Sequence, residues 1–301
     1  MSKYSASVII PTFNRLDELE LTLDSLVHQN CMYTFEVIIA DDGSAENTKG
    51  LVDEYLEKLN IRYCFQKDKG FRAGTARNMG IKLADSDICI FIDNGIILHS
   101  KAIENHIFAH INETDFCLVI GYVYGFMVES DKEKELATVI EQNMPDEAVQ
   151  LLCTQQLYDY RECYYQTLGE DLTKWPAPFV VCWSCNISTK RSTLLKFGMF
   201  DDFFVGWGDE DIDLGITLYK NGVKFILDRS IKSIHIPHEK TGTIKPENVK
   251  TKKHLHELHN QLKRDAYIRA KHTCHAVDTW LYAKDPLATN QILLGTWQGS
   301  G

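Results

Sequence analysis

The sequence has no hydrophobic run that approaches the roughly 20 residues needed to cross a bilayer. No secretory leader precedes its first apolar segment. It also lacks a long basic run, and its formal net charge is −10, which argues against a nucleic-acid backbone as the main partner. The nine cysteines are an odd number, which indicates reduced thiols where no leader is present. The sequence therefore predicts a soluble, cytoplasmic protein without a transmembrane segment or a nucleic-acid partner.

Two common phosphate-binding signatures are absent as well. No GxGxxG follows the first apolar segment, and GxxxxGK[ST] does not occur, which excludes the dinucleotide fingerprint and the P-loop. The absence of a glycine- and lysine-rich signature there also counts against a nucleotidyltransferase. The single CxxC, Cys182–Cys185, has no second pair and is weak evidence for zinc or a redox pair. No internal repeat is visible, so we expect one active site.

Short apolar runs alternate with helical periodicities over the first hundred residues. The predicted strands are Ser7–Thr12, Phe35–Ala40, Ile61–Phe65 and Asp87–Asp93. Asn14 and Asp17 are candidate caps for the helix after the first strand. Buried strands that alternate with helices predict an α/β fold with a mainly parallel sheet and helices on both faces.

Polar side chains follow three of these strands. They are Thr12 and Asn14 after the first, Asp41 and Asp42 after the second, and Asp93 and Asn94 after the fourth. Ligands of open α/β sheets lie beyond the carboxyl ends of the strands, so these residues predict a binding site there. Lys67, Lys69, Arg72 and Arg77 surround a glycine-rich helix start that suits a diphosphate, although a solvated basic loop would also explain them.

The densest cluster of acids follows Gly206-Trp207-Gly208. It consists of Asp209, Glu210, Asp211 and Asp213. Carboxylates favour a helix N-terminus because of the helix dipole, and that explains the first two acids as well as catalysis does. It does not explain a tryptophan between two glycines, which would suit a flat wall for a sugar ring. Asp209 and Asp213 are candidates for simple helix-start charges.

Six motifs together resemble the inverting, nucleotide-sugar-dependent glycosyltransferases of family 2, which have the GT-A fold. In chain order they are Val8–Arg15, Val37–Ser44, Gly70–Gly80, Phe91–Gly95, Cys185–Ser188 and Gly206–Asp211. The resemblance covers about residues 1–240 and looks closest to the transferase domains of bacterial chondroitin-type polymerases and of beta-1,4-galactosyltransferases. It implies a Rossmann-like mixed, mainly parallel sheet flanked by helices.

The resemblance also implies roles for individual residues. The residues implied for nucleotide-sugar binding are Pro11, Thr12, Asn14, Arg15, Asp42, Arg72, Arg77, Asp93 and Asn94. Asp42 would lie near the base. Arg72 and Arg77 would lie near the diphosphate or shape its loop. Asp211 would be the general base, and Glu210 would be the second catalytic residue. Trp207, Gly208 and Glu210 would hold the acceptor, which would be a saccharide, a natural product or a peptide.

One position departs from the family pattern. Gly95 stands where the third residue of the DxD element is usually an acid that binds metal. The resemblance leaves Asp93, with His235 or His238 after a strand at Lys224–Leu227, as ligands for Mn²⁺ or Mg²⁺. Either histidine could instead be structural, and basic residues could replace the metal. A non-catalytic or metal-independent sugar-nucleotide-binding relative is therefore the alternative function.

The remaining segments give coarser expectations. Residues 1–240 are predicted to form the transferase domain, with a nucleotide-binding half over 1–100 and an acceptor-binding half over 101–240. Residues 241–301 are predicted to form a C-terminal helical extension, with an amphipathic helix from about residue 250 and a poorly ordered end. Tyrosines in 158–165 and Trp175 either line an acceptor site or pack a helical insert, and Phe179–Trp183 is expected to return to the sheet. The sequence leaves the donor sugar, the acceptor and the oligomeric state open.

Overall fold

The structure is a computed structural model that describes residues 4–111, 113, 115–125, 132–236 and 252–296. Contacts divide the chain into two compact units, Met1–Pro237 and His238–Gly301. The predicted functional halves of the first unit stay a prediction. Among the described residues, no helix is both long and apolar enough to span a bilayer.

The first unit is built on one sheet. Its strands are β1 (Tyr4–Thr12), β2 (Phe35–Asp41), β3 (Ile61–Phe65), β4 (Ser86–Ile92), β5 (Ile96–Leu98), β6 (Cys117–Tyr124), β7 (Asn186–Lys190) and β8 (Lys224–His235). Their order is β3-β2-β1-β4-β7-β6-β8-β5. The first four strands in this order are parallel, β7 is antiparallel to both neighbours, β8 is parallel to β6, and β5 is antiparallel to β8. The predicted α/β class with a mixed, mainly parallel sheet is confirmed.

Helices connect the strands and cover the sheet. They are α1 (Leu16–Val27), α2 (Thr48–Glu54), α3 (Ala73–Leu83), α4 (Ala102–Ile111), α5 (Glu133–Gln142), α6 (Pro145–Thr154), α7 (Glu162–Leu168), α8 (Arg191–Phe197) and α9 (Glu210–Lys220), with short 3₁₀ helices at Leu172–Lys174 and Pro178–Val181. In the second unit, α10 (Lys252–Lys271), α11 (His275–Ala283) and α12 (Pro286–Leu294) form the predicted helical extension. The last residues, 297–301, lie outside the described ranges.

Side chains of β1 point alternately to the two faces of the sheet and are buried on both, which shows that helices cover both faces. Val8 and Ile10 belong to the core cluster that includes Leu19 and Leu23 of α1. A fully buried leucine contributes about 2 kcal/mol to folding. Ile9 points to the other face, where a Cβ on Gly80 of α3 would lie 2.4 Å from its Cγ2. Glycine at position 80 therefore lets α3 lie close against the sheet.

Two local predictions in this unit were wrong or incomplete, and one short strand was missed. Phe179–Trp183 does not return to the sheet, because Pro178 begins a 3₁₀ helix at a position that suits its fixed φ and missing N–H. The strand predicted at Lys224–Leu227 continues to His235, past an irregularity in its pairing with β6. Polar residues at that point made the continuation hard to predict from the sequence. The three-residue strand β5 was too short to give a periodicity.

The predicted helix caps were also wrong. Asn14 does not cap α1, because it adopts a positive φ of 50° and its Oδ1 accepts a 2.7 Å hydrogen bond from Ala45 N. The cap position is Arg15, which makes no side-chain cap hydrogen bond. Asn14 N in turn donates to Ser44 Oγ at 2.9 Å. The turn after β1 is therefore fastened to the turn after β2, and both turns lie at the carboxyl edge of the sheet.

Candidate active site

The polar residues predicted to form a binding site come together where β1, β2 and β4 end. The backbone of Asp42 donates to Thr12 O at 2.9 Å, so the first two strand ends lie side by side. Asn94 follows β4 and its Nδ2 donates to Thr12 Oγ1 at 2.7 Å and to Arg15 O at 2.9 Å. Asn94 Oδ1 is buried and finds no hydrogen-bond partner among the described residues. Pro11, the last residue before Thr12, lies in β1 and pairs with Ala40 of β2.

Asp42 is buried in a small polar pocket. Its carboxylate accepts hydrogen bonds from Arg72 N at 2.5 Å and from Gln66 Nε2 at 2.6 Å, and Arg72 Nη2 lies 3.3 Å from it. Burial raises the pKa of Asp42, while these hydrogen bonds oppose that rise. Gln66 was missed by the sequence reasoning. Its only signal was its place directly after β3, the same position that identified polar residues on the other strands.

Arg77 lies in α3 and joins the two halves of the predicted site. Its Nη2 lies 2.7 Å from Asp93 Oδ1, and its Nη1 lies 3.1 Å from Glu210 Oε1. Its side chain is only 3% exposed. Glu210 Oε2 is buried and has no partner within the described ranges. The acid after β4 and the acid at the start of α9 are therefore held by one guanidinium.

Asp211 stands next to this bridge. Its Oδ2 accepts a long hydrogen bond of 3.4 Å from Ser184 N, and its Oδ1 accepts from Ile212 N at 2.8 Å. Burial and the negative charge of Glu210 raise the pKa of Asp211 well above the ordinary range of an aspartate, and the Arg77 guanidinium opposes that rise. A carboxylate with a raised pKa accepts a proton readily near neutral pH.

The other two acids of the cluster differ from each other. Asp209 takes a left-handed conformation with φ of 72° and directly precedes α9, where a carboxylate suits the helix dipole. Asp213 lies in the first turn of α9 and is fully buried, and its interpretation as a simple helix-start charge stays a prediction. Periodicity on α9 did not show this burial, because apolar residues flank Asp213 on a helix that is buried on most sides.

The predicted acceptor residues lie in the loop before α9. Trp207 is 78% exposed, which leaves its indole face available for stacking. Gly206 and Gly208 adopt positive φ angles of 115° and 93°. Gly206 N donates to Phe71 O at 2.8 Å, so this loop is fastened to the glycine-rich loop that opens α3.

The residues predicted to bind metal fit a divalent cation poorly. A search of the described ranges finds no group of three His, Cys, Asp or Glu side chains suited to a metal. Asp93 is paired with Arg77, and Gly95 offers no side chain. His235 is the last residue of β8, and Ile236 N donates to Gly95 O at 2.9 Å, which brings that strand end to the same edge. His238 lies outside the described residues.

The remaining candidates in the described part of the chain divide between buried packing residues and the exposed Tyr158 and Tyr160. Tyr165 and Trp175 are buried, with ring centroids 6.0 Å apart, so they pack the helical insert. The ring of Tyr160 is partly exposed and lies 6.0 Å from the ring of Trp183.

Cys182 and Cys185 are buried thiols, and burial raises the pKa of each. A buried thiol of raised pKa is a poor nucleophile or redox group.

The fold and these motifs are those of a glycosyltransferase family. The sequence profile described as Glycosyl transferase family 2 matches residues 7–182, and the chain belongs to that family. Among curated relatives, the validoxylamine A glucosyltransferase of Streptomyces hygroscopicus subsp. jinggangensis (strain 5008) is 34% identical over 237 residues, which cover 78% of this chain and 56% of the relative. The chondroitin synthase of Pasteurella multocida (strain Pm70) is 30% identical over 226 residues, which cover 73% of this chain and 23% of the relative. The chain spans about half the length of the validoxylamine A glucosyltransferase and about a quarter of the chondroitin synthase.

Solved structures share the fold. S. aureus TarS 1-349 in complex with UDP-GlcNAc matches with a TM-score of 0.59 and 17% identity, over 97% of this chain and 71% of that one. A mannosyltransferase from Pyrobaculum calidifontis in complex with GDP-Man and Mn2+ matches with a TM-score of 0.59 and 15% identity, over 99% of this chain and 77% of that one. The predicted GT-A fold is thereby confirmed.

Proposed function

We propose that this chain is an inverting glycosyltransferase that moves a sugar from a UDP-sugar to an acceptor hydroxyl, with Asp211 as the general base. The observation that supports this most is the contact of Arg77 with both Asp93 and Glu210. This contact joins Asp93, on the proposed donor side, to Glu210, which is next to the proposed base. A displacement reaction needs both substrates within one site, and this contact supports the proposal of such a site.

The donor half is proposed to lie along the strand ends. Asp42 is within reach of Gln66 and Arg72, a set that offers an acceptor and donors for a nucleobase. Pro11, Thr12, Asn14, Arg15 and Asn94 line the ends of β1 and β4 and are proposed to surround the ribose and diphosphate. UDP is the proposed nucleotide because one structural neighbour was solved with UDP-GlcNAc.

The proposed chemistry is a direct displacement at the anomeric carbon. Asp211 takes the proton of the acceptor hydroxyl while the oxygen attacks, and the nucleoside diphosphate leaves from the opposite face of the sugar. Its raised pKa suits proton transfer near neutral pH. Glu210 is proposed to orient the acceptor through its unpaired Oε2, and Trp207 with Gly208 to support the acceptor from the loop.

The leaving diphosphate requires positive charge. Arg72 and Arg15 are the arginines that we propose for this role. A site for Mn²⁺ or Mg²⁺ at Asp93, His235 and His238 stays a prediction. The Mn2+ in the complex of one structural neighbour supports it, and the missing acid at Gly95 opposes it. No step of the proposed reaction depends on the metal.

The acceptor class is a proposal that rests on the names of the relatives. One relative is named a glucosyltransferase of validoxylamine A, and the other is named a chondroitin synthase. We propose a saccharide or natural-product acceptor, and a peptide remains the third class. We also propose that residues 1–100 hold the donor, that 101–240 hold the acceptor, and that 241–301 form a helical extension outside the transferase domain.

A second function is a sugar-nucleotide-binding protein without turnover. The observation that favours it is again Gly95, which removes a side chain that the family pattern uses. It predicts tight nucleotide binding together with no transfer to any acceptor.

The test is a thermal-shift screen of nucleotide-sugars with and without Mn²⁺, since a ligand that binds only the folded state raises its stability. The nucleotide-sugar that stabilises the protein is then incubated with saccharide, natural-product and peptide acceptors, and the anomeric configuration of the product is read by proton NMR. A product of inverted configuration supports the proposal. A product that retains configuration, or stabilisation without any transfer, contradicts it.

A further inference from the structure

The environment of Arg77 does not suit a residue that contacts the diphosphate. Both terminal nitrogens are already used, Nη2 by Asp93 and Nη1 by Glu210, and the side chain is almost completely buried. Its Nε is also buried, without a hydrogen-bond partner in the described part of the chain. The sequence had suggested the diphosphate, or the shape of its loop, as the target of Arg77. The geometry points to the second possibility and to a wider role.

We propose that Arg77 is a positioning residue that fixes the start of α9, with Glu210 and Asp211, relative to Asp93, and that it does not touch the nucleotide. This inference rests on the proposed function, because it assigns how the acceptor side of that site is held against the donor side. The two carboxylates belong to segments 117 residues apart in sequence (210 − 93), and this guanidinium joins them.

One face of α3 supports this assignment. Gly74, Arg77 and Asn78 are spaced three and four residues apart and therefore share a face of the helix. A Cβ on Gly74 would lie 3.1 Å from Phe200 Cβ and 3.5 Å from Glu210 Cγ, so this face touches the segment that leads into α9. The Arg77 guanidinium lies over the ring of Phe200, 5.2 Å from its centroid. The helix thus holds the acidic segment by packing and by charge together.

The chemistry of the side chain explains why arginine occupies this position. A planar guanidinium has a fixed fork of donors that contacts two carboxylates at once, whereas a lysine ammonium is a point charge on a flexible stem. Buried carboxylates without a positive partner are strongly unfavourable. Loss of the guanidinium would therefore leave Asp93 and Glu210 repelling each other, and the start of α9 would shift away from the donor side.

The experiment compares R77M and R77K with the wild type and with R62M. Arg62 is a matched control, because its Nη1 lies 3.2 Å from the buried carboxylate of Glu36 near the beginning of β2, away from the strand ends. Three quantities are measured: the Kd of UDP by calorimetry, kcat with the identified donor and acceptor, and amide hydrogen exchange over residues 206–213.

We expect UDP affinity to stay within about threefold in both Arg77 variants, while kcat falls about 100-fold in R77M and about tenfold in R77K, the scale of loss that misplaced groups cause. Exchange over 206–213 should accelerate in both, and R62M should change neither kcat nor that exchange. If R77M does not fold, R77K decides on the same readouts.

Two results would overturn the inference. A loss of UDP affinity as large as the loss of kcat would mean that Arg77 contacts the nucleotide. Unchanged kcat and exchange in folded R77M or R77K would mean that it positions nothing. Absence of turnover by the wild type would instead refute the proposed function, and the exchange measurement would still test whether Arg77 holds the start of α9.

Discussion

A Cβ placed on Gly95 would lie 3.2 Å from Nη2 of Arg15, so a guanidinium fills the space into which an acidic side chain at position 95 would point. Gly95 also has a positive φ of 95°, a conformation that favours glycine. Glu18 holds the arginine in place by accepting from its Nε at 3.2 Å and its Nη2 at 3.1 Å. A guanidinium that is paired with Glu18 therefore lies where the family pattern places a metal-binding acid.

This relationship predicts weak dependence of nucleotide binding on divalent cations. We expect the Kd of UDP in EDTA to lie within about tenfold of its value in Mn²⁺, because Arg15 and Arg72 supply positive charge without a metal. R15M should lose affinity in EDTA, whereas K49M, at an exposed ion pair on α2, should not. Calorimetry with both variants checks this. Complete loss of UDP binding by the wild type in EDTA would contradict it.

Asn78 is predicted to be a major anchor of the segment before α9. Its Nδ2 donates to Phe200 O at 2.7 Å, and its Oδ1 accepts from Phe200 N at 3.1 Å, both in a buried setting. N78A leaves both backbone groups without their partner, so we expect the free energy of unfolding to fall by about 2–4 kcal/mol.

The control is N221A, because Asn221 is exposed and its Nδ2 donates to Thr217 O at the end of α9. That variant should change the free energy of unfolding by no more than about 0.5 kcal/mol. Urea denaturation of both proteins gives the comparison. Equal effects of the two substitutions would remove the special role of Asn78.

The pKa of Asp211 predicts the pH dependence of transfer. Burial and Glu210 raise this pKa, Arg77 lowers it, and Asp209 raises it further. Only the deprotonated carboxylate acts as a base, so kcat/KM should fall as pH decreases through the neutral range, well above the ordinary aspartate value near 4. E210Q removes a negative neighbour and should move this limb of the profile to lower pH. A limb that stays in place in E210Q would argue that another group titrates.

A buried histidine pair predicts loss of stability in acid. His106 Nδ1 and His110 Nε2 both lie 2.9 Å from Ser188 Oγ, between α4 and β7. Burial lowers the pKa of His106 to about 4 and that of His110 to about 3. Histidine in an unfolded chain titrates near 6.5, so below that pH the unfolded state binds protons that the folded state does not.

Each histidine should therefore cost about 1.4 kcal/mol of stability between pH 7.5 and 5.5. Urea titrations at pH 7.5 and 5.5 measure the total loss, to which other groups also contribute. H110Q isolates one histidine, and its pH-dependent loss should be smaller than that of the wild type by about 1.4 kcal/mol. Identical pH dependence in the two proteins would contradict the assignment.

The sequence predicted the parallel half of the sheet well because its strands are continuous apolar runs. Val8–Ile10 and Val37–Ile39 are buried on both faces, which leaves no ambiguity of period. The antiparallel half was harder. β5 has three residues, and β8 carries polar residues at an irregular pairing, so neither gives a clean pattern.

The site shows the same contrast. The common location of the polar residues that follow the strands was predictable, because the carboxyl ends of parallel strands lie at one edge of the sheet. The partner choices of Arg77 were not, because a charge pair between α3 and the start of α9 depends on tertiary packing that no spacing encodes. The buried state of Asp213 and the place of Arg15 against Gly95 were hidden for the same reason.

The most direct test of the central claim is the turnover of D211N. Asparagine keeps the size of the side chain and can still accept from Ser184 N, but it cannot take a proton. General-base catalysis contributes about 10²–10⁴-fold, so we expect kcat for UDP release to fall by about 10³-fold. The Kd of UDP should stay within about threefold, and D53N, at an exposed ion pair on α2, should behave as the wild type. Turnover of D211N near the wild-type rate would contradict the assignment of Asp211 as the base.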